Sequence, residues 1–324
     1  MGTKDNVINP FLAKPERFAD ILNQGSFHGE KVIDPAKLTE LDSTENGTGS
    51  KTRDIKKLYN GAMKLAVIGI ENQNNVHFAM PLRIWNYDLS TYLQQLNTIR
   101  SAHEKKKDLK GDEWISRFAK SDKLIPVITQ VVYYGTEPWN GPRNIWDMLD
   151  VPEELKPYQG LIGNYSMNLL EVNKIENLDC YCDDLKMVLG FVKYQKDKEK
   201  LREFIDKNRE LFEHVPIEVG RTIEVMTNAK ELGKYMEDNL LDDEGSVNMC
   251  EALEAIREEG KEIGKELGKE LGKELGKDIG RKIGEKFFGE LTGKLLAENR
   301  TDDLLKATTD DEYRKSLYKE YGIE

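Results

Sequence analysis

The stretch Lys64–Gln73, KLAVIGIENQ, constrains the fold most, because it is an apolar run that ends abruptly in polar side chains. Side chains alternate across a β-strand, so a strand here puts Glu71 and Gln73 on the same face as Leu65. Asp54 lies just upstream, in or at the end of the preceding predicted strand. A carboxylate from each of two neighbouring strands suits Mg²⁺, which prefers oxygen ligands. The same spacing also fits an ordinary solvated rim of a sheet.

The neighbouring segments alternate between helical and strand patterns, which predicts an α/β fold. In chain order they predict a helix, two strands, a long helix and a buried strand at Pro15–Asn23, Lys31–Ile33, Thr52–Tyr59, Phe78–Arg100 and Leu124–Tyr134. Asn60-Gly61 is a turn signal that favours a hairpin into the central strand. With the central strand included, the predicted order is helix, three strands, helix, strand.

Four blocks of the sequence carry a resemblance to a known family. They are RD at 53–54, GIENQ at 69–73, AMPLRIWNYDLSTYLQQL at 79–96 and LIPVITQVVYYGTEPWNGP at 124–142. In this order they resemble the recombination-promoting nuclease (Rpn) or YhgA-like transposase family. Asp54 followed by Glu71-Asn72-Gln73 is similar to the D…E-x-Q variant of the PD-(D/E)xK nuclease motif. The resemblance implies an αβββαβ core with a mixed sheet.

The resemblance also implies a metal-dependent phosphodiesterase site. Asp54 and Glu71 would bind Mg²⁺, or Mn²⁺ or Ca²⁺ in its place. Asp20 on the first helix resembles the upstream acid that completes the metal shell in relatives, and Glu16 is its rival one turn earlier. Gln73 stands where the family usually has lysine. Its neutral amide can orient water or a ligand but supplies no positive charge.

Two further groups are candidates for contact with DNA. Arg83 and Tyr87 are four residues apart on the predicted long helix, so they share a face and can reach a substrate phosphate. An ordinary surface arginine beside a half-buried tyrosine explains them equally well. Lysines 105–107 and Lys110 form a basic cluster that can contact a DNA backbone. Acidic neighbours dilute this cluster, and a solvated loop is the alternative.

Composition limits the classes of protein to consider. The formal net charge of −11 argues against a general nucleic-acid coat protein, although it allows an enzyme with a local basic groove. The 3 cysteines give no disulfide framework. The N-terminal segment lacks the apolar core of a signal peptide, and no run of 18 apolar residues exists. We therefore expect a cytoplasmic protein with no membrane span.

A four-residue repeat occupies Glu259–Glu290, where the sequence reads GKEIGKELGKELGKELGKDIGRKIGEK. On a helix each row of like residues advances roughly 40° per repeat and winds around the surface. Glycine inside a helix costs roughly 1 kcal/mol relative to alanine. The segment is therefore expected to fray or to need a partner surface, and it can drive homo-oligomer formation. An expanded low-complexity helical arm is the simpler interpretation.

These patterns predict four segments. Residues 1–150 form the nuclease-like core, and residues 151–237 form a mainly helical extension of it. Residues 238–300 hold a linker and the repeat helix, and residues 301–324 form an acidic tail. The leading functional hypothesis is a metal-dependent DNA endonuclease. The alternatives are an inactive nuclease fold that binds DNA or protein and assembles through its C-terminal helix, and an RNA-acting nuclease.

Overall fold

A computed structural model describes residues 5–41, 55–70, 77–238 and 245–323. The chain folds there as an α/β protein with a mixed sheet, so the predicted fold class is confirmed at that level. It divides into two compact units, Met1–Leu253 and Glu254–Glu324. The first unit contains the five-stranded sheet, and the described part of the second unit is helical.

The sheet has its strands in the order of the chain. They are β1 (Leu38–Glu40), β2 (Ile55–Tyr59), β3 (Met63–Ile70), β4 (Val127–Tyr133) and β5 (Asn168–Glu171). Strand β2 runs antiparallel to both of its neighbours, β1 and β3, whereas β4 and β5 run parallel to β3. Parallel neighbours need a crossover connection, and helix α3 (Met80–Lys106) lies in the connection from β3 to β4. The helix, three strands, helix and strand appear in the predicted order.

A tight hairpin joins β2 to β3, with Tyr59 opposite Met63. Asn60 and Gly61 between them have φ angles of 49° and 65°. Asparagine and glycine adopt positive φ more readily than other residues. The hairpin predicted from this dipeptide is therefore confirmed, and it sets the register in which Ile55 faces Val67.

Helices cover both faces of the sheet. Side chains of adjacent residues on a strand point to opposite faces, and β4 shows this clearly. Thr129 contacts Asp88 of α3 on one face. Gln130 accepts a 2.8 Å hydrogen bond on the other face from Ser26, which follows α2 (Pro15–Gly25). The sheet is thus the middle of three layers, with α1 (Asp5–Leu12) preceding α2 along the chain.

The chain after β5 is mainly helical, as its sequence pattern predicts. The helices are α5 (Asp183–Tyr194), α6 (Lys198–Lys207), α7 (Arg209–Glu213), α8 (Ile217–Thr227) and α9 (Lys230–Asp238). Helix α5 packs against α8, and aromatic rings of Phe191, Phe204 and Phe212 meet edge to face beside them. Two short strands, β6 (Val215–Pro216) and β7 (Ser246–Val247), pair nearby. A short helix, α4 (Gly111–Ser116), lies between α3 and β4.

The prediction of a first strand at Lys31–Ile33 is wrong. Ile33 is buried, but its backbone bonds to the side chain of Asn23 instead of to a strand. The Asn23 amide donates to the Ile33 carbonyl at 3.0 Å and accepts from the Ile33 N–H at 2.8 Å. The first strand lies further along, at β1. A side chain that satisfies both backbone groups removes the need for a strand partner there.

The repeat lies in α10 (Met249–Ala297), an unbroken helix of 49 residues. Two further helices, α11 (Thr301–Thr309) and α12 (Asp311–Tyr321), follow it. They close a small core at the end of α10 that consists of Leu291, Leu295, Ala307, Leu317 and Ile323. The predicted acidic tail therefore contains two helices that pack on the end of the repeat helix.

A buried arginine of α2 holds together the helical layer, which consists of α1, α2, α5 and α8. Arg17 is 2% exposed, and the central carbon of its guanidinium lies 3.9 Å from the centroid of the Phe11 ring of α1. Its Nε donates to Asp184 at 3.1 Å, and its Nη1 donates to Glu218 at 2.9 Å. These acids lie in the first turns of α5 and α8. One side chain thus links α1, α2, α5 and α8.

Replacement of this guanidinium should destabilise the fold. We expect Arg17→Met to lower the free energy of unfolding by about 2–4 kcal/mol, because partly buried Asp184 loses the arginine that it pairs with and Glu218 keeps only exposed Lys14. Lys14→Met is the matched control, since exposed Lys14 pairs with the same Glu218 and should contribute at most about 0.5 kcal/mol. Urea unfolding at pH 7 measures both. Equal losses in the two variants would contradict the role assigned to Arg17.

Candidate functional site

The carboxyl ends of the three parallel strands, β3, β4 and β5, lie side by side and together form the carboxyl edge of the sheet. The register places Ile70 beside Tyr133, and Tyr133 beside Glu171. Open α/β sheets bind ligands at such an edge. Strand β3 ends at this edge with Ile70, which directly precedes Glu71 in the sequence.

The predicted catalytic residues Asp54, Glu71 and Gln73 lie outside the described residues. Their nearest described neighbours are Ile55, the first residue of β2, and Ile70, the last residue of β3. Within the described ranges, no three histidine, cysteine or acidic side chains are grouped closely enough to hold a metal ion. The metal and catalytic roles of these three residues therefore stay predictions.

Asp20 is described, and it contacts the start of α5. Its Oδ2 accepts the backbone N–H of Cys182 at 2.7 Å, directly before the first residue of that helix. Burial raises the pKa of the Cys182 thiol to about 11, and the neighbouring Asp20 carboxylate adds to this shift. A carboxylate can accept several hydrogen bonds, so this contact does not prevent Asp20 from also binding a metal ion. The metal role of Asp20 stays a prediction. Glu16, its rival, is exposed on α2.

Arg83 and Tyr87 both lie on α3, as predicted. Arg83 is exposed, whereas Tyr87 is half-buried, and the Nζ of Lys56 lies 4.6 Å from the centroid of its ring. Sequence reasoning missed Lys56, which lies on β2 two residues after Asp54. The alternation of side chains along β2 was the available signal, because it puts Lys56 and Lys57 on opposite faces of the sheet. Lys57 points toward α2, where its Nζ lies 5.8 Å from the centroid of the Phe18 ring. The phosphate contacts assigned to Arg83 and Tyr87 stay predictions.

A buried carboxyl group holds α3 on the sheet. The Asp88 side chain accepts a 2.6 Å hydrogen bond from Thr129 Oγ1 of β4 and a second hydrogen bond from the hydroxyl of Tyr165. Burial raises the pKa of Asp88, and these two hydrogen bonds oppose the shift only in part. The pKa of Tyr165 is also raised, first by burial and then by Asp88. This group was not predicted, since its partners come from distant parts of the sequence.

Glu171, at the end of β5, holds the loop that follows β4. Its Oε2 accepts the backbone N–H of Trp139 at 2.9 Å, and its Oε1 accepts from Lys174 at 3.0 Å and from Arg143. Burial alone would raise the pKa of Glu171, but these donors outweigh it and the pKa is lowered. The WNGP segment of the loop is therefore fixed beside the edge where β3 ends.

The basic cluster at the end of α3 lies next to a paired histidine. Lysines 105–107 and Lys110 are exposed. His103 bonds to Asp108 at 2.7 Å and to Asp122 at 3.0 Å, and the hydrogen bond to Asp108 is the main cause of its raised pKa. Two carboxylates thus lie among the lysines, which weakens the positive potential that a DNA backbone would meet.

Comparison with protein families gives one match. Residues 67–222 match the family described as "Putative transposase, YhgA-like". This region belongs to the YhgA-like family. The family predicted from the sequence blocks is therefore confirmed. Comparisons with curated proteins and with solved structures found no match.

The YhgA-like region begins on β3 and ends on α8, so it holds the second half of β3, all of β4 and β5, and helices α3 to α7, whereas α1 and α2 precede it. It includes Glu71, Gln73, Arg83 and Tyr87, whereas Asp20 and Asp54 precede it. The repeat helix follows it. Among the described helices, none is both long and apolar enough to cross a membrane.

The bond between Asp20 and the start of α5 predicts a modest structural contribution. We expect Asp20→Ala to lower the free energy of unfolding by about 1 kcal/mol, as loss of a helix-capping acceptor does. Asp20→Asn keeps an acceptor oxygen and should lose less. Urea unfolding measures both variants, with exposed Glu16→Ala expected to lie within about 0.5 kcal/mol of the parent. An unchanged stability of Asp20→Ala would contradict this assignment.

Asp88 of the YhgA-like region predicts a pH dependence of stability. An acid whose pKa is higher in the folded state makes the free energy of unfolding fall as pH rises from about 4 through that raised pKa. Asp88→Asn cannot titrate, so its melting temperature should fall less across this window. Asp112→Asn, at an exposed acid of α4, should retain the parent's slope. Scanning calorimetry from pH 4 to 8 measures both slopes, and identical slopes in all three proteins would exclude Asp88 as the cause.

Proposed function

We propose that the chain is a metal-dependent DNA endonuclease of the PD-(D/E)xK type. The observation that carries the proposal is the position of β3, whose carboxyl end leads into Glu71 and lies beside the ends of β4 and β5. The observed order of helix, three strands, helix and strand is the order that this nuclease type implies. The YhgA-like match over residues 67–222 supports the same assignment, because transposition requires cleavage of DNA.

In this proposal Asp54 and Glu71 hold a divalent cation, with Asp20 as a third acid. The bound cation would supply Lewis acidity toward a phosphodiester and a lowered pKa for water. Gln73 accepts a hydrogen bond from the attacking water through its amide oxygen and so orients it. Because Gln73 is neutral, any side-chain positive charge for the scissile phosphate, beyond that of the bound cation, comes from other residues.

In this proposal Lys56 and Arg83 supply that charge. Lys56 lies on β2 within two residues of Asp54, and its Nζ lies over the ring of Tyr87. Arg83 lies one helical turn before Tyr87 and is exposed. A phosphate bound near Tyr87 would meet both cations, and the guanidinium can bind two phosphate oxygens at once. This pair would replace the charge that the usual lysine supplies.

A plasmid-nicking assay tests the function. We expect the parent chain to nick supercoiled DNA with Mg²⁺ or Mn²⁺, and Asp54→Ala or Glu71→Ala to lose activity by at least about 100-fold, since a metal ion contributes several kcal/mol to transition-state stabilisation. Glu30→Ala, at an exposed acid before β1, is the control and should retain activity. Calcium should support binding of DNA with little cleavage.

The same assay separates the alternatives. A parent chain that binds DNA but shows no metal-dependent nicking would overturn the enzyme proposal in favour of a binding module. Faster cleavage of an RNA of the same sequence would assign the site to RNA. Activity that survives in both Asp54→Ala and Glu71→Ala would come from a contaminant or from another site.

A further inference from the structure

The repeat part of α10 has an apolar row that the described chain leaves open to solvent. The six side chains of the row are each between 46% and 61% exposed. They recur every four residues and are Ile263, Leu267, Leu271, Leu275, Ile279 and Ile283. Single exposed leucines are ordinary, but a continuous row of this length marks an interaction surface.

The same row is covered where it continues toward the end of α10. The next three members are Phe287, Leu291 and Leu295. Leu291 and Leu295 are fully buried by α11 and α12, and the ring of Phe287 lies 6.2 Å from that of Tyr318. This row therefore accepts packed helices where they are present. The upstream six side chains offer the same kind of surface to a helix that the described chain does not supply.

The charges beside the row indicate which helix fits. Successive residues of a helix are 100° apart, so a four-residue repeat forms four rows about 90° apart at any height. Through residues 260–279 they run around the helix in the order glycine, lysine, acid, leucine or isoleucine, where the acid is glutamate except at Asp278. Along this stretch the apolar row is thus flanked by acids on one side and by glycines on the other, whereas Lys282 takes the acid position beside Ile283. The lysine row follows the glycine row, on the far side from the apolar row.

Two copies of α10 can join their apolar rows in two directions. If they run antiparallel, two-fold symmetry puts both glutamate rows on the same side of the contact, where like charges repel. If they run parallel, the glutamates of each copy face the glycines of the other. Because glycine has no side chain, the lysines behind it can lean toward those glutamates. Charge therefore selects the parallel arrangement.

We propose that the exposed row of α10 binds a second copy of the same helix in the parallel direction. The i, i+4 rows of two helices interdigitate when the axes cross at about −50°, so the contact covers a few repeats and not the whole helix. Because the repeats are alike, registers that differ by four residues are nearly equivalent. Single substitutions would leave other registers available, and several repeats must be changed together.

The apolar contact is tested by a triple variant of the full chain, Leu267→Gln, Leu271→Gln and Leu275→Gln. Glutamine matches leucine in helix propensity, so α10 should persist in circular dichroism. The parent mass should rise with concentration from 37.2 kDa toward twice that value in sedimentation equilibrium, whereas the variant should stay at 37.2 kDa. Methionine at the same three positions is the matched control and should retain association.

Two results would overturn the contact. The first is a parent that stays at 37.2 kDa up to roughly 100 μM, the weak end of specific association. That result would also be obtained if the row binds a different protein. The second is a glutamine variant that associates as the parent does. Nicking activity is measured in the same preparations, so loss of association and loss of the proposed enzyme function are scored separately.

The direction is tested by neutralising glutamates in three repeats. The variant carries Glu266→Gln, Glu270→Gln and Glu274→Gln. Parallel helices lose an attraction to lysine, so the dissociation constant should rise severalfold. Antiparallel helices lose a repulsion, so tighter association relative to the charge-matched control would overturn the direction. That control carries the same change at three exposed glutamates outside the repeat, Glu154, Glu176 and Glu210.

Discussion

The helical layer on one face of the sheet depends on a cation that water cannot reach. Arg17 is almost fully buried, and burial of an unpaired charge is costly, so the chain must bring anions to it. It does so with acids in the first turns of α5 and α8, where the partial positive charge of a helix terminus also stabilises a carboxylate. Because Ser26, directly after α2, donates a hydrogen bond to Gln130 of β4, this network fixes the helices relative to the sheet.

The other face depends on hydrogen bonds to a single acid. Asp88 joins α3 to β4 and to the chain before β5, and its two donors are neutral hydroxyls. At the carboxyl edge, Glu171 binds a backbone N–H, a lysine and an arginine, and so fixes the loop after β4. The edge where β3 ends therefore has neighbours that several hydrogen bonds hold in place. Such support is what a site needs if its ligands are to keep their positions during a reaction.

Local signals in the sequence were enough to predict the order of the elements. The Asn60-Gly61 turn and the β-branched run of β4 each act within a few residues, and both appear where they were expected. The exception is the strand predicted at Lys31–Ile33. That prediction failed because the side chain of Asn23 takes the place of a strand partner. Apolar character alone does not distinguish these two ways of burying a backbone.

The networks that hold the candidate site together were not predictable in the same way. Arg17 meets acids that are 167 and 201 residues away in the sequence, and Asp88 meets Tyr165 across 77 residues. No periodicity records such pairs, since each depends on how whole elements pack. The family resemblance located Glu71 and Gln73 through short blocks of sequence. It gave no indication of Lys56, whose contact with the Tyr87 ring joins β2 to α3 and is recorded in no short block of sequence.

Because the repeat of α10 is uniform, every repeat adds the same length and the same rotation to the helix. Each added or deleted repeat changes the helix length by about 6 Å and turns everything beyond it by about 40°. The small core at the end of α10 would be carried along unchanged, since its residues follow the repeat. Nine added repeats would return that core to its starting direction, about 54 Å further along the helix axis. Variation in repeat number would therefore alter reach and direction together while leaving each folded part intact.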